Sequence, residues 1–167
     1  MRVLAIDASL RKSGVAIVEA NGGKQRALYF GVIHNPVKLR PSACLVAIRE
    51  QLADLIRAHE PDCCALEAVI YVQSYKTAIA LGAARGAAIL AAAERGLPVF
   101  EYAPKRIKQA VVGHGGADKG QVAFMIRALL GLTETPGPDA ADALAIGLTH
   151  LRAQDSARLG VSAVEQI

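Results

Sequence analysis

The chain has 167 residues, 53% hydrophobic and 20% charged, which provides for one packed domain and excludes a disordered or fibrous chain. A net charge of +4 permits a nucleic-acid partner without requiring one, while 4% aromatic residues and no Trp argue against a base-stacking sheet of the RRM type. Apolar runs are broken by Gly, Arg or Glu before the ~18–20 residues of a membrane span, and MRVLAIDASL lacks the apolar core and cleavage site of a signal peptide. A cytoplasmic protein with no membrane partner is therefore expected.

The positive charge is concentrated early, with eight Lys and Arg against three acids in residues 1–50. Cys44, Cys63 and Cys64 have no metal-binding spacing, and the vicinal pair on a strand would point to opposite faces as small buried thiols.

In chain order, RVLAID at 2–7 reads as a strand ending in Asp7. GVAIVEA at 14–20 forms a second, Asn21-Gly22-Gly23 is a hairpin turn, and Ala27–Ile33 forms a third. Ser42 is a plausible cap for a helix with apolar Leu45, Ile48, Leu52, Leu55 and Ile56, which Pro61 ends. Cys63–Leu66 is a short buried strand that delivers Glu67. A long Ala-rich helix over Ser74–Arg95 leads to a fifth strand at Val99–Tyr102. Helices follow at Lys105–Val112, Lys119–Leu130 and Pro138 to about Leu151. Residues 1–153 form the expected domain, and 154–167 are a weakly patterned tail. A three-strand meander followed by crossovers is the order of the ribonuclease H-like architecture: an α/β fold with a five-stranded mixed sheet and helices on both faces.

Such a sheet would bring four acids together. Asp7 and Glu67 end strands that, side by side and parallel, place their ends ~5 Å apart. Asp139 and Asp142 lie three apart at a helix start and so share a face. Singly, each acid has an ordinary use: Asp139 and Asp142 suit a helix N-terminus, and Asp7 could close a turn. Glu67 is the hardest to explain that way, because a carboxylate following a buried strand is costly unless paired or bound. Together they match hard-oxygen ligands for divalent cations, and two such ions ~3.5–4 Å apart can activate water against a phosphodiester.

With those residues placed, the chain closely resembles the RuvC family of bacterial Holliday junction resolvases over about residues 2–153. The resemblance rests on Ile6-Asp7, Ser13-Gly14, Ala65-Leu66-Glu67, Leu81-Gly82-Ala83-Ala84-Arg85-Gly86, Pro98–Ala103, Lys108–Gly113 and Asp139–Ala145. It implies a ribonuclease H-like homodimer that cuts two opposed strands of four-way junction DNA in recombination and repair. It also implies a site with two Mg²⁺ or Mn²⁺ ions held by Asp7, Glu67, Asp139 and Asp142. Lys108 and Lys119 match basic residues near the scissile phosphate and DNA backbone, with Lys119 or Lys108 stabilising developing charge. Lys105 and Arg85 are further expected DNA contacts. Association with the RuvA–RuvB branch-migration complex is a family expectation.

Two departures stand out. Ala8-Ser9 replaces the family's usual Pro-Gly after Asp7, and Ile70 followed by Tyr71 stands where a stacking Phe is common. Tyr71 could stack in the junction, or Ile70 could wedge between bases. His34, His59, His114 and His150 read as solvated. Two rivals stay open: a junction-binding protein without hydrolysis, and an actin-like phosphotransferase, which would need a second phosphate loop and more chain.

Overall fold

The computed structural model describes residues 1–70, 72, 74–158 and 166–167, with the backbone alone at 158. Strands β1 (Arg2–Asp7), β2 (Lys12–Asn21) and β3 (Lys24–His34) form the expected meander. Helix α1 (Pro41–His59) crosses to β4 (Cys63–Glu67), and α2 (Tyr75–Ala93) crosses to β5 (Val99–Tyr102). Three helices complete the chain: α3 (Pro104–Val112), α4 (Lys119–Leu130) and α5 (Pro138–Arg158). The sheet order is β3-β2-β1-β4-β5, with β4 parallel to β1 and β5 parallel to β4.

Strand parity explains why β1 is central. Val3, Leu4, Ala5 and Ile6 are all fully buried, so both faces of this strand are covered, as a continuous apolar run requires. Val3, Ala5, Ala16, Val18, Cys63 and Ala65 face a core filled by α3, α4 and α5. Leu4, Ile6, Val15, Ile17, Cys64 and Leu66 face α1 and α2. The vicinal cysteines therefore do point to opposite faces, and both are buried. Gly147 lets α5 lie directly on the sheet, since a Cβ there would collide with the Val18 side chain.

Several boundaries differ from the sequence reading. Ser42 does not cap α1; Pro41 takes the first turn behind an extended Arg40, and no side chain caps it. Proline's fixed φ and missing N–H suit that position, where no intrahelical donor is needed. Glu60 closes α1 in the left-handed region at φ 45°, ahead of Pro61. The hairpin ladder carries β2 and β3 past their apolar stretches, through Lys12 paired with His34 and Asn21 with Lys24. Helix α5 continues past Leu151 to Arg158, with Leu151 and Ala153 still buried. The expected tail thus begins as helix, and 159–165 lie outside the described residues. Gln166 bridges to Phe100, and the Ile167 N–H donates to the Val99 carbonyl at 2.9 Å, both at the outer edge of β5.

Helix α2 has the length and composition of a membrane span, longer than the sequence reading allowed for an apolar run. It buries Ala84, Ala88, Ala91 and Ala92 against the sheet-side core, and Lys76 is exposed near its start.

Candidate active site

Asp7 and Glu67 continue the parity of Ala5 and Ala65, so their side chains fall on the face covered by α5. The β1–β4 register ends at Ile6 opposite Leu66, which makes Asp7 and Glu67 the next pair along two parallel strand ends. Gly14, opposite Asp7 on β2, sets the approach of α5. A Cβ at Gly14 would run into the Asp139 backbone carbonyl, so the start of α5 can rest on β2 beside Asp7 only over a glycine. Asp139 and Asp142 therefore enter the same end of the sheet from α5. Their position in its first turns is favourable to the helix dipole.

The electrostatics record this convergence. Burial, then the charges of Glu67 and Asp142, push the Asp7 carboxyl up to about 7; Lys119 partly opposes them and Asp139 adds to them. Burial and Asp142 also raise Glu67, against the pull of Lys119 and Lys108. The Lys119 ammonium donates to Asp142 Oδ2 at 3.0 Å, and this bond raises its own pKa. Asp118 fixes Lys119 in the first turn of α4: its side chain accepts from the Gln121 N–H, while the Gln121 side chain accepts from the Asp118 N–H. Lys108, half-buried on α3, lines a cavity of about 140 Å³ with Glu67, Lys119 and Asp142.

Among the described residues, no three His, Cys, Asp or Glu side chains close into a ready-made ion cage. The donors fit a divalent cation by their chemistry: four carboxylates from β1, β4 and α5, with the anions of Asp7 and Glu67 disfavoured by burial and by neighbouring carboxylates. Mg²⁺ suits such an open set, because it keeps several waters and takes few carboxylates.

A larger cavity, about 540 Å³, opens beside Asp7 and Glu67, and Ile70, Lys105 and Arg85 line it. Ile70 is 69% exposed, an apolar side chain held at the mouth of the site. Tyr71 lies outside the described residues, so the choice between it and Ile70 is not made by the fold. Lys105 is exposed on α3. Arg85, expected on DNA, makes two contacts within the protein: Nη1 donates to the Glu67 carbonyl at 3.2 Å, and Nη2 pairs with Glu101.

The turn after Asp7 forms without glycine. Ser13 Oγ accepts from the Ser9 N–H at 3.1 Å and donates to the Ser9 carbonyl at 2.6 Å. Glu60 is the one non-glycine with positive φ among the described residues, so Ala8-Ser9 carries no backbone strain of that kind.

His150 corrects the sequence reading. It is fully buried on α5, within hydrogen-bond reach of Tyr102 Oη at 2.8 Å (Nδ1) and Cys63 Sγ at 3.2 Å (Nε2). Burial drives its pKa down to about 4, so it is neutral. No spacing in the sequence links residues 63, 102 and 150; only the packing of α5 across β4 and β5 does. His59 is also partly covered, its ring tilted against Tyr29 with centroids 5.8 Å apart, while His34 and His114 are exposed as expected. The sequence reading also gave no role to Glu101, whose partner lies on a different element.

Residues 3–150 match the family model described as crossover junction endodeoxyribonuclease RuvC. A relative of that name from Akkermansia muciniphila is 54% identical over 155 residues, covering 93% of each chain. One from Syntrophomonas wolfei is 40% identical over 152 residues, covering 90% of this chain and 88% of its own. Among solved structures, T. thermophilus RuvC in complex with Holliday junction substrate aligns with a TM-score of 0.90 and 34% identity over 100% of this chain and 99% of its own. The yeast mitochondrial Holliday junction resolvase Ydc2 aligns at 0.60 with 16% identity over 96% of this chain and 81% of its own, a likeness of fold alone.

Proposed function

The chain belongs to the RuvC family of crossover junction endodeoxyribonucleases, and from that premise we propose a metal-dependent endodeoxyribonuclease that resolves Holliday junctions by paired, symmetric nicks in recombination and repair. The observation that carries this is the meeting of Asp7, Glu67, Asp139 and Asp142 at one end of the sheet, where burial and the neighbouring carboxylates raise the pKa values of Asp7 and Glu67.

These four carboxylates would hold two Mg²⁺ or Mn²⁺ ions, which when bound supply Lewis-acid stabilisation to the attacking and leaving oxygens of an in-line displacement. The protein's own part is placement. β1 and β4 fix Asp7 and Glu67 on neighbouring strand ends, and α5 brings Asp139 and Asp142 across Gly14. Lys119 and Lys108 set ammonium groups beside Asp142 and Glu67, where negative charge develops on a phosphate being cut. Lys105 at the cavity rim suits backbone phosphate, and Ile70 suits an apolar contact with an unstacked base.

Paired nicks on a four-way junction call for two sites, and we read the working form as a homodimer. Exposed Ile79 and Leu90 on α2, with Val46 on α1, support an apolar meeting surface on the α1–α2 side. Association with RuvA–RuvB and a cytoplasmic location belong to the same reading.

The test is cleavage of a labelled synthetic four-way junction against linear duplex, in Mg²⁺, Mn²⁺ or EDTA. Metal-dependent nicks placed symmetrically in the junction alone are expected. Tight junction binding without cutting in any metal would overturn the enzyme reading.

A further inference from the structure

Arg85 projects from the middle of α2 toward the point where β4 leaves the sheet. Its guanidinium is divided between two protein partners, donating through Nη1 to the Glu67 carbonyl at 3.2 Å and pairing through Nη2 with the Glu101 carboxylate. Both side chains are well covered, Arg85 at 16% and Glu101 at 27% exposure, unlike Lys119 at 78%. Glu101 lies on β5 opposite Leu66, and strand parity puts both on the α2 face. One guanidinium thus ties a helix to two adjacent strands, immediately behind an acid of the site.

The location matters because ladder support is running out there. The β1 register stops at the Ile6–Leu66 pair, and β4 ends at Glu67. The hydrogen bonds that continue beyond are to β5, where the Ala68 N–H donates to the Tyr102 carbonyl at 2.9 Å. The Glu67 carboxylate is on the α5 face, whereas Arg85 grips the same residue's backbone from the α2 side. A fork with fixed donor geometry suits that task better than a flexible ammonium. Glu101 balances its charge and keeps it aimed at the strand.

We infer that Arg85, aligned by Glu101, is a positioning residue that fixes the backbone of Glu67 so that its carboxylate is presented to the divalent cation, and that it is not a contact for DNA phosphate. This rests on the proposed reading of Glu67 as a metal-holding acid.

The test compares wild type, Arg85→Gln and Glu101→Gln as full-length folded proteins. Mn²⁺ binding is measured without DNA by electron paramagnetic resonance, and junction binding is measured in EDTA at several salt concentrations. Arg85→Gln should weaken Mn²⁺ affinity by about tenfold, as loss of a group orienting a ligand does. Its junction affinity in EDTA should stay within about twofold of wild type with an unchanged salt slope, because no phosphate contact is removed. Glu101→Gln, which retains the arginine and an acceptor, should shift Mn²⁺ affinity in the same direction by less. It keeps the question open to refutation if Arg85→Gln does not fold.

A loss of junction affinity with the salt slope reduced by about one and Mn²⁺ binding intact would make Arg85 a phosphate contact. Unchanged Mn²⁺ binding in both variants would overturn the inference equally. Failure of the wild type to bind Mn²⁺ or the junction would instead remove the functional reading on which it rests.

Discussion

The raised carboxyl of Asp7 gives the folded protein a pH dependence that can be worked out before any activity is measured. Its ordinary value of 3.8 moves to about 7 because burial, Glu67 and Asp142 all disfavour the anion. Between those two values the folded state binds more protons at this site than the unfolded chain does. Its contribution is therefore most favourable below the unfolded value and is lost as pH rises through about 7. For an isolated group with these values, going from pH 5 to pH 8 removes roughly 2.6 kcal/mol. Partial exposure and coupling among the acids reduce this to about 2 kcal/mol. The assay is urea unfolding in EDTA at pH 5, 6, 7 and 8, for wild type and Asp7→Asn. The wild type should lose about 2 kcal/mol more than the variant across that range, while Mn²⁺ added at pH 8 should restore stability to the wild type and much less to Asp7→Asn. Identical pH slopes in the two proteins would refute the reasoning, because Asp7 would then titrate alike folded and unfolded.

Asp7→Asn, Glu67→Gln, Asp139→Asn and Asp142→Asn should each abolish junction cutting while leaving junction binding in EDTA intact, as read by gel shift beside a cleavage assay. Lys119→Ala should slow cutting by about 10²–10³-fold in single-turnover measurements, the usual loss for a removed charge-stabilising donor. Gly14→Ala should lose cutting along with stability, because its Cβ meets the Asp139 carbonyl; Gly147→Ala should cost about 1–3 kcal/mol in urea unfolding by crowding Val18 while the folded protein still cuts. His150→Leu should cost about 1–3 kcal/mol by taking away the Tyr102 hydroxyl's buried partner, with little change in the cutting rate at 25 °C.

The element order was readable in the sequence because each strand of the sheet carries its own local signal. RVLAID and CCALE are short apolar runs ending in an acid, and Asn21-Gly22-Gly23 fixes the hairpin without reference to the rest of the chain. The convergence of Asp7 and Glu67 was legible for a related reason: each ends a buried strand, and parity then decides its face. What escaped depends on contacts between elements far apart in sequence. The pairing of Arg85 with Glu101 was not visible because the two sit on different elements, α2 and β5. His150 looked solvated because its partners Cys63 and Tyr102 are brought to it by the long reach of α5. The end of α5 was set too early for the same reason, since burial of Ala153 is a property of the fold rather than of local periodicity.

The departure at Ala8-Ser9 shows where this site needs glycine. A turn after a strand commonly uses glycine for its freedom at positive φ, yet this one closes with Ser13 Oγ accepting from and donating to the Ser9 backbone. Ser13 is itself fully buried, and that exchange satisfies its hydroxyl. The next residue, Gly14, is the one that cannot change, and for size rather than for torsion: it faces Asp7 across the ladder and admits the Asp139 carbonyl. One short stretch of β2 thus performs two separate tasks, with Ser13 holding the turn below Asp7 and Gly14 making room for α5 beside it. A polar side chain can replace glycine in the turn because a hydrogen bond can stand in for backbone freedom. Nothing with a Cβ can replace it opposite Asp7, because the space is already filled by the backbone that delivers the other two acids.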